Sequence, residues 1–263
     1  MQLKDKVAVV VGGGQTAGET IGNGRAAAIR FAREGAAVLV VDRVIESAEE
    51  TVATITGEGG NAAALAADVT VQPDCESMAA GCLARYGRID VLHNNVGRSE
   101  GDAATTELEE ENWLALMDIN LKSAFLTCKH VLPIMREQGG GVIINISSTS
   151  SVCSRSTLAY KTAKAGINAM TQNMAIENAA YGVRVNAILP GLMDTPMAIE
   201  RRARERGLAR HMVREARDAQ VPLGKMGTAW DVAAAAVFLA SDEAAYITGV
   251  LLAVDGGLSA RVG

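Results

Sequence analysis

The sequence predicts an α/β fold, in which a doubly wound sheet of about seven parallel strands carries helices on both faces. Short runs rich in Val, Ile, Leu and Ala alternate with stretches of helical periodicity along the chain. Several of these runs are continuously apolar, which is typical of parallel strands buried on both sides. The chain has 263 residues and shows neither an internal repeat nor a linker, so we expect a single domain.

The predicted strands are short and dominated by apolar residues. In chain order they are VAVVV at 7–11, AVLVV at 37–41, AAALA at 62–66, VLH at 91–93, VIINI at 142–146, VRVNAIL at 183–189 and LLAV at 251–254. Runs of this length and composition are typical of buried strands.

The segments between the strands have the periodicity of helices that connect parallel strands. They begin after Gly24 and after Leu158, and they cover about 44–58, 73–86, 107–136 and 229–240. Such crossovers are right-handed and place helices on both faces of the sheet. Residues 197–220 differ in composition, because seven arginines are interspersed with Glu and Asp. We expect a solvated helical pair there, with i,i+4 ion pairs.

Composition and charge argue against several classes of function. The formal net charge is −5, which argues against a nucleic-acid partner. No apolar stretch reaches membrane-spanning length, and the charged start at 1–6 does not resemble a signal peptide. The four cysteines show no metal-ligand spacing. We therefore expect a cytoplasmic protein without a metal site.

A glycine-rich loop follows the first predicted strand, with the sequence GGGQTAGETIGNGRA at 12–26. Glycines there allow a tight turn and a close approach to a pyrophosphate, which the next helix binds at its N-terminus. Gly12 and Gly22 are ten positions apart, so the loop is longer than in the usual dinucleotide-binding patterns. We expect Gly22 and Gly24 to lie next to the helix. The added segment, 15–20, either bulges into solvent or contacts cofactor phosphates.

Asp42 at the end of the second strand indicates which dinucleotide binds. A carboxylate at this position accepts hydrogen bonds from both ribose hydroxyls and repels a 2′-phosphate, so NAD is favoured over NADP. Arg43 follows directly, and because arginine pairs with phosphate, it weakens this preference slightly.

Tyr160 and Lys164 are four residues apart in a helical segment, so their side chains share one face. A phenol ordinarily has a pKa of about 10. A neighbouring cation favours the phenolate and brings that pKa toward the working range. The pair is therefore a candidate acid and base for a carbonyl or an alcohol.

With these features the chain resembles the short-chain dehydrogenase/reductase family essentially from end to end. The similar stretches are DV at 68–69, NNVG at 94–97 (Val replacing the family's Ala), DIN at 118–120, INISS at 144–148, Tyr160 with Lys164, PGLMDT at 190–195, PLGKMG at 222–227, TG at 248–249 and DGG at 255–257.

The resemblance implies a Rossmann-type fold, with dinucleotide binding and catalysis in one domain, 1–263. It implies hydride transfer between a nicotinamide cofactor and a secondary alcohol or ketone, and Asp42 favours NAD over NADP as that cofactor. It further implies a homotetramer. The implied catalytic residues are Asn120, Ser148, Tyr160 and Lys164. The cofactor-binding residues, from the resemblance and the glycine loop together, are Gly12, Gly14, Gly22, Asn23, Asp42, Arg43, Asp68, Val69, Asn94, Val96, Gly97, Tyr160, Lys164, Pro190, Gly191, Met193 and Thr195.

Two adjacent serines compete for the catalytic position. The usual family spacing, counted back from Tyr160, reaches Ser147, whereas alignment of the Ile-Ser-Ser strand end selects Ser148. Consecutive side chains at a strand end point to opposite sides, so only one of them faces the substrate. We expect Ser148, because loop length varies more readily than a strand end.

Three segments are expected to contact the substrate: 98–102, 149–157 and a lid at 192–220. The density of arginine indicates that at least one lid arginine, or Arg155, contacts a polar or anionic compound such as a sugar or hydroxy acid. Two alternatives stay open. One is a 3-oxoacyl-(acyl-carrier-protein) reductase that uses NADPH, against which Asp42 argues. The other is a catalytically idle dinucleotide-binding regulator, which would not need the full catalytic set.

Overall fold

The apolar runs of the chain form a parallel sheet in the computed structural model, which describes residues 1–153 and 157–261. The strands are β1 (Val7–Val11), β2 (Ala37–Asp42), β3 (Ala62–Ala66), β4 (Val91–Asn94), β5 (Gly141–Ile146), β6 (Val183–Pro190), β7 (Met193–Asp194), β8 (Gly227–Thr228) and β9 (Leu251–Val254). Seven of them form one sheet in the order β3-β2-β1-β4-β5-β6-β9, and all its pairs are parallel. The predicted fold class is confirmed.

Helices cover both faces of this sheet. They are α1 (Asn23–Arg33), α2 (Ile45–Gly57), α3 (Gln72–Tyr86), α4 (Glu110–Met117), α5 (Ser123–Gln138), α6 (Leu158–Asn178), α7 (Pro196–Arg206), α8 (Arg210–Asp218) and α9 (Ala229–Ala240). Along β1, Ala8 and Val10 pack with α1, α2 and α9, whereas Val7, Val9 and Val11 pack with α3, α5 and α6. Both faces of the strand are therefore buried, which explains its unbroken apolar sequence.

The single helix predicted at 107–136 is wrong in two respects. The helix begins at Glu110, and a π-helical turn, Asp118–Lys122, separates α4 from α5. Hydrophobic periodicity does not reveal a π turn, because one widened turn hardly shifts the apolar stripe. The two-residue strands β7 and β8, which pair with each other, were also not predicted, since they are too short to show a pattern.

The remaining elements agree with prediction to within a few residues, and β2, β4, β5 and β6 are each one residue longer than expected. The chain reverses its winding direction between β1 and β4, which are neighbours in the sheet. Ligands of doubly wound sheets bind at the carboxyl ends of the strands at such a switch point. In the described part of the chain, no helix is both long enough and apolar enough to span a bilayer.

Candidate active site

The glycine loop brings the start of α1 against the end of β1. Gly12 has a φ of 75°, and its carbonyl oxygen accepts a hydrogen bond from Asn95 Nδ2 at 3.1 Å. A Cβ atom on Gly24 would overlap that same carbonyl oxygen and would lie 2.6 Å from Asn95 Nδ2. Glycine is therefore required at position 24 for this close packing.

Gln15 closes the lengthened part of the loop. Its backbone amide donates to Ser47 Oγ at 2.6 Å, and its side-chain Oε1 accepts from the Gly22 amide at 2.8 Å. Its Nε2 donates to the Thr20 carbonyl at 3.2 Å. The two ends of the insertion are thus joined by one side chain, and the loop is anchored on α2.

The tip of this loop contacts helix α7 of the predicted lid. This contact differs from the two expected arrangements, a bulge into solvent and a contact with cofactor phosphates. A Cβ on Gly18 would lie 2.7 Å from Pro196 Cβ, so the chain segments touch there. Arg210 pairs with Glu19 at 2.7 Å and with Glu200 at 2.6 Å. The exposed insertion therefore packs on the lid and does not simply bulge into solvent.

The residues around the start of α1 fit the pyrophosphate of a dinucleotide. No described side chain caps this helix, so backbone N–H groups are left for a ligand. Thr20 Oγ1, a hydroxyl that is able to donate, is buried and makes no hydrogen bond to a described residue. A phosphate oxygen accepts hydrogen bonds from a hydroxyl and from helix N–H groups, so the donor set suits this group.

Asp42 lies at the expected strand end and is half-buried. Its Oδ2 accepts from the Gly14 amide at 3.0 Å, and its Oδ1 accepts from the Val44 amide at 3.1 Å. Asp68 follows β3 at the same edge, and its Oδ1 accepts from the Thr70 hydroxyl at 2.6 Å. This hydrogen bond lowers the pKa of Asp68, and the nearby charge of Arg43 lowers it further.

Lys164 is fully buried on α6, with 2% of its surface exposed. Its Nζ donates to the carbonyl oxygen of Ile146 at 2.8 Å and lies 5.8 Å from the centre of the Tyr160 ring. Burial lowers the pKa of Lys164 to about 8, because a low-dielectric surrounding disfavours the ammonium. The two side chains therefore share a face of α6, as predicted, and a contact between the ammonium and the phenol oxygen stays a prediction.

Asp102 holds the start of this helix and was not found from the sequence. Its two carboxylate oxygens accept from the backbone amides of Ala159 at 3.1 Å and Tyr160 at 2.8 Å. A carboxylate at a helix N-terminus satisfies free N–H groups and interacts favourably with the helix dipole. Asp102 is 57 positions from Ala159, so no local pattern indicated this cap.

The π turn holds Asn120 against the loop after β4. Asn120 Nδ2 donates to the Arg98 carbonyl at 2.8 Å, and Oδ1 accepts from the Arg98 amide at 3.0 Å. A Cβ on Gly97 would lie 2.8 Å from Asn120 Oδ1 and 2.9 Å from Lys164 Nζ. Only glycine at position 97 allows these two side chains to come so close to the backbone.

Asn120 and Lys164 also line a cavity of about 10 Å³, together with Val69, Asn94, Val96 and Ser123. A volume of this size is about the least that holds one water molecule, and although most of the lining is apolar, Asn94, Asn120, Ser123 and Lys164 are polar. The cavity thus provides a position for a water molecule next to the Lys164 ammonium.

The two serines after β5 differ in surroundings. Ser147 is buried, and its hydroxyl donates to the Lys164 carbonyl at 3.0 Å. Ser148 is half-buried, and its Oγ accepts from the Ser150 amide at 3.1 Å. Ser147 is thus committed to packing, and this agrees with the choice of Ser148 as the catalytic serine, which stays a prediction.

The side chain of Asn94 points into the interior and does not face the cofactor crevice. It donates to Asn145 Oδ1 at 2.9 Å and accepts from the Thr127 hydroxyl at 2.8 Å. Asn145 in turn donates to Thr171 Oγ1 at 2.9 Å. This buried polar network joins β4 and β5 to α5 and α6, and any cofactor contact of Asn94 would have to come from its backbone.

The predicted nicotinamide-contact residues lie between β6 and α7. Pro190 ends β6, and Gly191 packs so closely on Asp255 that a Cβ would lie 2.6 Å from the Cβ of that residue. Met193 belongs to β7, and Thr195 is the buried residue that precedes α7. These residues form one wall of the crevice at the carboxyl edge of the sheet.

The arginines of the predicted lid form mainly contacts between elements. One ion pair, Arg201 with Glu205 at 3.6 Å, has the predicted i,i+4 spacing, whereas Arg214 pairs with Asp194 at 2.8 Å. Arg155 lies outside the described residues. Within 1–153 and 157–261, no group of three or more His, Cys, Asp or Glu residues is arranged to hold a metal ion.

Comparison with known proteins decides the family. A family model described as enoyl-(acyl carrier protein) reductase matches residues 17–259. A 3-oxoacyl-(acyl-carrier-protein) reductase of Thermotoga maritima is 35% identical over 98% of this chain and 99% of its own length. The 3beta-hydroxysteroid dehydrogenase 1 of Eggerthella lenta is 37% identical, over 98% of this chain and 95% of its own.

A solved structure agrees with these matches. It is a candidate short-chain dehydrogenase/reductase from Burkholderia xenovorans, with 43% identity and a TM-score of 0.91 over 100% of this chain and 99% of that chain. The chain belongs to the short-chain dehydrogenase/reductase family. This short-chain dehydrogenase/reductase is accordingly an enzyme that acts on CH–OH groups of small molecules, interconverts secondary alcohols and ketones, and uses an NAD(P) cofactor.

Proposed function

We propose that this enzyme is an NAD-dependent oxidoreductase in which Tyr160 exchanges a proton with the oxygen of a secondary alcohol or ketone. The observation that carries the proposal is the buried ammonium of Lys164 beside the Tyr160 ring. A buried cation favours ionisation of a neighbouring phenol, because the attraction between opposite charges is little screened there. Such a phenol is able to act as acid and base near neutral pH.

The other residues assist this proton transfer. Ser148 lies on the less buried side of the strand end and is proposed to hydrogen-bond the reacting oxygen, which stabilises developing charge. Asn120 and the adjacent cavity are proposed to connect Lys164 with a water molecule. A bound nicotinamide would supply or receive the hydride. Gly12, Gly22 and the start of α1 are proposed to hold its pyrophosphate.

The surroundings of Asp42 support NAD as the cofactor. Backbone amides occupy two of the roughly four acceptor positions of its carboxylate. The remaining positions suit ribose hydroxyls, and the negative charge opposes a 2′-phosphate. Arg43 is exposed, and because arginine pairs with phosphate, it weakens this preference slightly.

Two structural features support further parts of the proposal. Residues 192–220 are proposed to be a substrate lid, since α7 contacts both the glycine loop and the segment after β4. A homotetramer is proposed to form through α5 and α6, where Phe125 and Ile176 are exposed apolar side chains. Light scattering after size exclusion tests the assembly.

The second candidate is a 3-oxoacyl-(acyl-carrier-protein) reductase, because a relative with 35% identity carries that name. This activity would use NADPH and an acyl thioester. Asp42 and the net charge of −5 argue against it, since an acidic carrier protein binds a basic surface. Preference for NADPH with acetoacetyl thioesters would establish this candidate instead.

The test is a spectrophotometric screen of secondary alcohols with NAD and with NADP, followed by Tyr160→Phe. We expect the wild-type enzyme to turn over with NAD. Tyr160→Phe should lower kcat by about 1,000-fold, which is the order of magnitude expected when an acid–base group is lost. NADH binding should be retained in the variant. Tyr181→Phe is the matched control, because Tyr181 is 47% exposed and packs under Arg136. Full activity of Tyr160→Phe would overturn the assignment, and no turnover of any alcohol would favour the idle regulator.

A further inference from the structure

The turn that follows β5 is held to helix α6 by the buried side chain of Asn168. This residue lies one helical turn after Lys164 and is 7% exposed. Its Nδ2 donates to Ser151 Oγ at 2.8 Å, and the Ser151 hydroxyl donates in turn to the carbonyl oxygen of Ser148 at 2.6 Å. Two consecutive hydrogen bonds therefore run from the helix that carries Tyr160 to the serine that is proposed to contact the reacting oxygen.

The same turn determines how the Ser148 hydroxyl is oriented. The backbone of Ser148 is extended, and its Oγ accepts a hydrogen bond from the Ser150 amide at 3.1 Å. The Ser151 amide donates to the Ser148 carbonyl at 3.0 Å, which closes the turn. A serine hydroxyl has one hydrogen and two acceptor positions. Because the Ser150 amide takes an acceptor position, the Ser148 hydrogen can be donated to an oxygen atom in the crevice.

Asn168 is an unfavourable residue for a buried position unless its amide group has a specific task. Its Oδ1 is buried and makes no hydrogen bond to a described residue. A buried acceptor without a donor costs free energy, and a branched apolar side chain of the same shape would avoid that cost. The donor that Asn168 provides to Ser151 is what such an apolar side chain could not supply.

We propose that Asn168 is a positioning residue for the reaction, which acts through Ser151 to hold the turn so that the Ser148 hydroxyl donates to the reacting oxygen. This inference rests on the proposed function, because Ser148 receives its role there. A donor that is oriented in advance stabilises developing charge without reorganisation during the reaction. Loss of this orientation should lower kcat and change KM little, since the interaction is made mainly in the transition state.

A double-mutant cycle separates this role from a purely structural one. The alcohol screen with NAD includes 2-butanol, cyclohexanol and 3-hydroxybutyrate, and its best substrate is used for every variant. Ser151→Ala and Asn168→Leu should each lower kcat about tenfold, the contribution of about one hydrogen bond. In enzyme that already carries Ser148→Ala, the same substitutions should lower kcat by less than about twofold, because no Ser148 hydroxyl is left to orient. Ser151→Thr keeps a hydroxyl and should keep most of the activity.

Hydrogen exchange of the cofactor-free protein, followed by mass spectrometry, tests the first step without any substrate. Ser151→Ala and Asn168→Leu should speed exchange of the amides at 149–153 about threefold or more, because the turn loses its connection to α6. Thr54→Ala is the matched control. It removes an exposed hydroxyl of α2 that donates to the Glu50 carbonyl at 3.0 Å, and it should change neither exchange nor kcat.

Three results would each overturn the inference. They are an undiminished kcat in Ser151→Ala, a tenfold loss that persists in the Ser148→Ala background, and unchanged exchange of the turn. Turnover that depends on Tyr160 would in those cases leave the proposed function intact. Turnover of none of the screened alcohols would overturn the proposed function and this inference together. Thermal melts verify that each variant is folded, and Asn168→Leu should melt no lower than the wild-type protein.

Discussion

The buried ammonium of Lys164 should make this fold less stable at neutral pH than a variant that lacks the charge. Its pKa falls from the usual 10.5 to about 8 in the folded protein because of burial. Each tenfold change in proton affinity corresponds to ~1.4 kcal/mol, so the charged side chain destabilises the folded protein by roughly 3 kcal/mol at pH 7. Lys164→Met keeps a long side chain and removes this cost.

The variant also loses one favourable contact. The carbonyl oxygen of Ile146 no longer receives the 2.8 Å hydrogen bond from Nζ, and a buried acceptor without its donor costs about 1 kcal/mol. We therefore expect Lys164→Met to raise the free energy of unfolding by about 2 kcal/mol at pH 7, although under the proposed function it should abolish turnover.

The stability difference between the wild-type protein and Lys164→Met should change with pH. Between pH 8 and pH 10.5 the unfolded chain holds a proton on Lys164 that the folded protein has released. The wild-type protein consequently gains stability relative to the variant as pH rises through this window. The advantage of Lys164→Met should fall to nearly zero by pH ~9.5, according to this linkage.

Urea unfolding of the cofactor-free protein at both pH values measures the difference. Lys129→Met is the control, because Lys129 is exposed and its replacement should change stability by less than ~0.5 kcal/mol at either pH. A difference between wild type and Lys164→Met that is the same at pH 7 and pH 9.5 would show that the ammonium is hydrated. The argument from desolvation would then be wrong.

Two further variants test the geometry of the site. Gly24→Ala should destabilise the fold by about 1–3 kcal/mol and weaken NADH binding, measured by fluorescence, at least tenfold, because its Cβ would overlap the Gly12 carbonyl. Gly81→Ala, at an open position in a helix, should instead leave binding unchanged. Asp102→Ala should lower unfolding free energy by about 1–2 kcal/mol and reduce kcat/KM, since two amides at the start of α6 lose their acceptor. Asp102→Asn should restore part of both losses, and equal effects of the two substitutions would contradict a capping role.

The sheet and most helices could be predicted because their signals are local. An unbroken apolar strand such as Val7–Val11 and an amphipathic stretch such as Gln72–Tyr86 carry their periodicity within a few residues. The π turn at Asp118–Lys122 could not be predicted, because it changes hydrogen bonding while it leaves the apolar pattern nearly intact.

The glycine loop shows the same division. The ten positions between Gly12 and Gly22 showed that the loop is long. The sequence left two positions open for the added segment, in solvent or against the cofactor phosphates. The contact of Gly18 with Pro196 and the pairing of Glu19 with Arg210 join segments far apart in the chain. Such contacts depend on how segment 192–220 folds back over the sheet edge.

By itself the sequence determined the parallel α/β architecture, the glycine turn and the shared helix face of Tyr160 and Lys164, because each depends on neighbouring residues. Only the tertiary structure decided that Lys164 is desolvated, that Asp102 caps helix α6 and that the glycine loop packs against α7. Burial and charge pairing arise between distant segments, and they set the environment in which Tyr160 and Lys164 are proposed to move a proton.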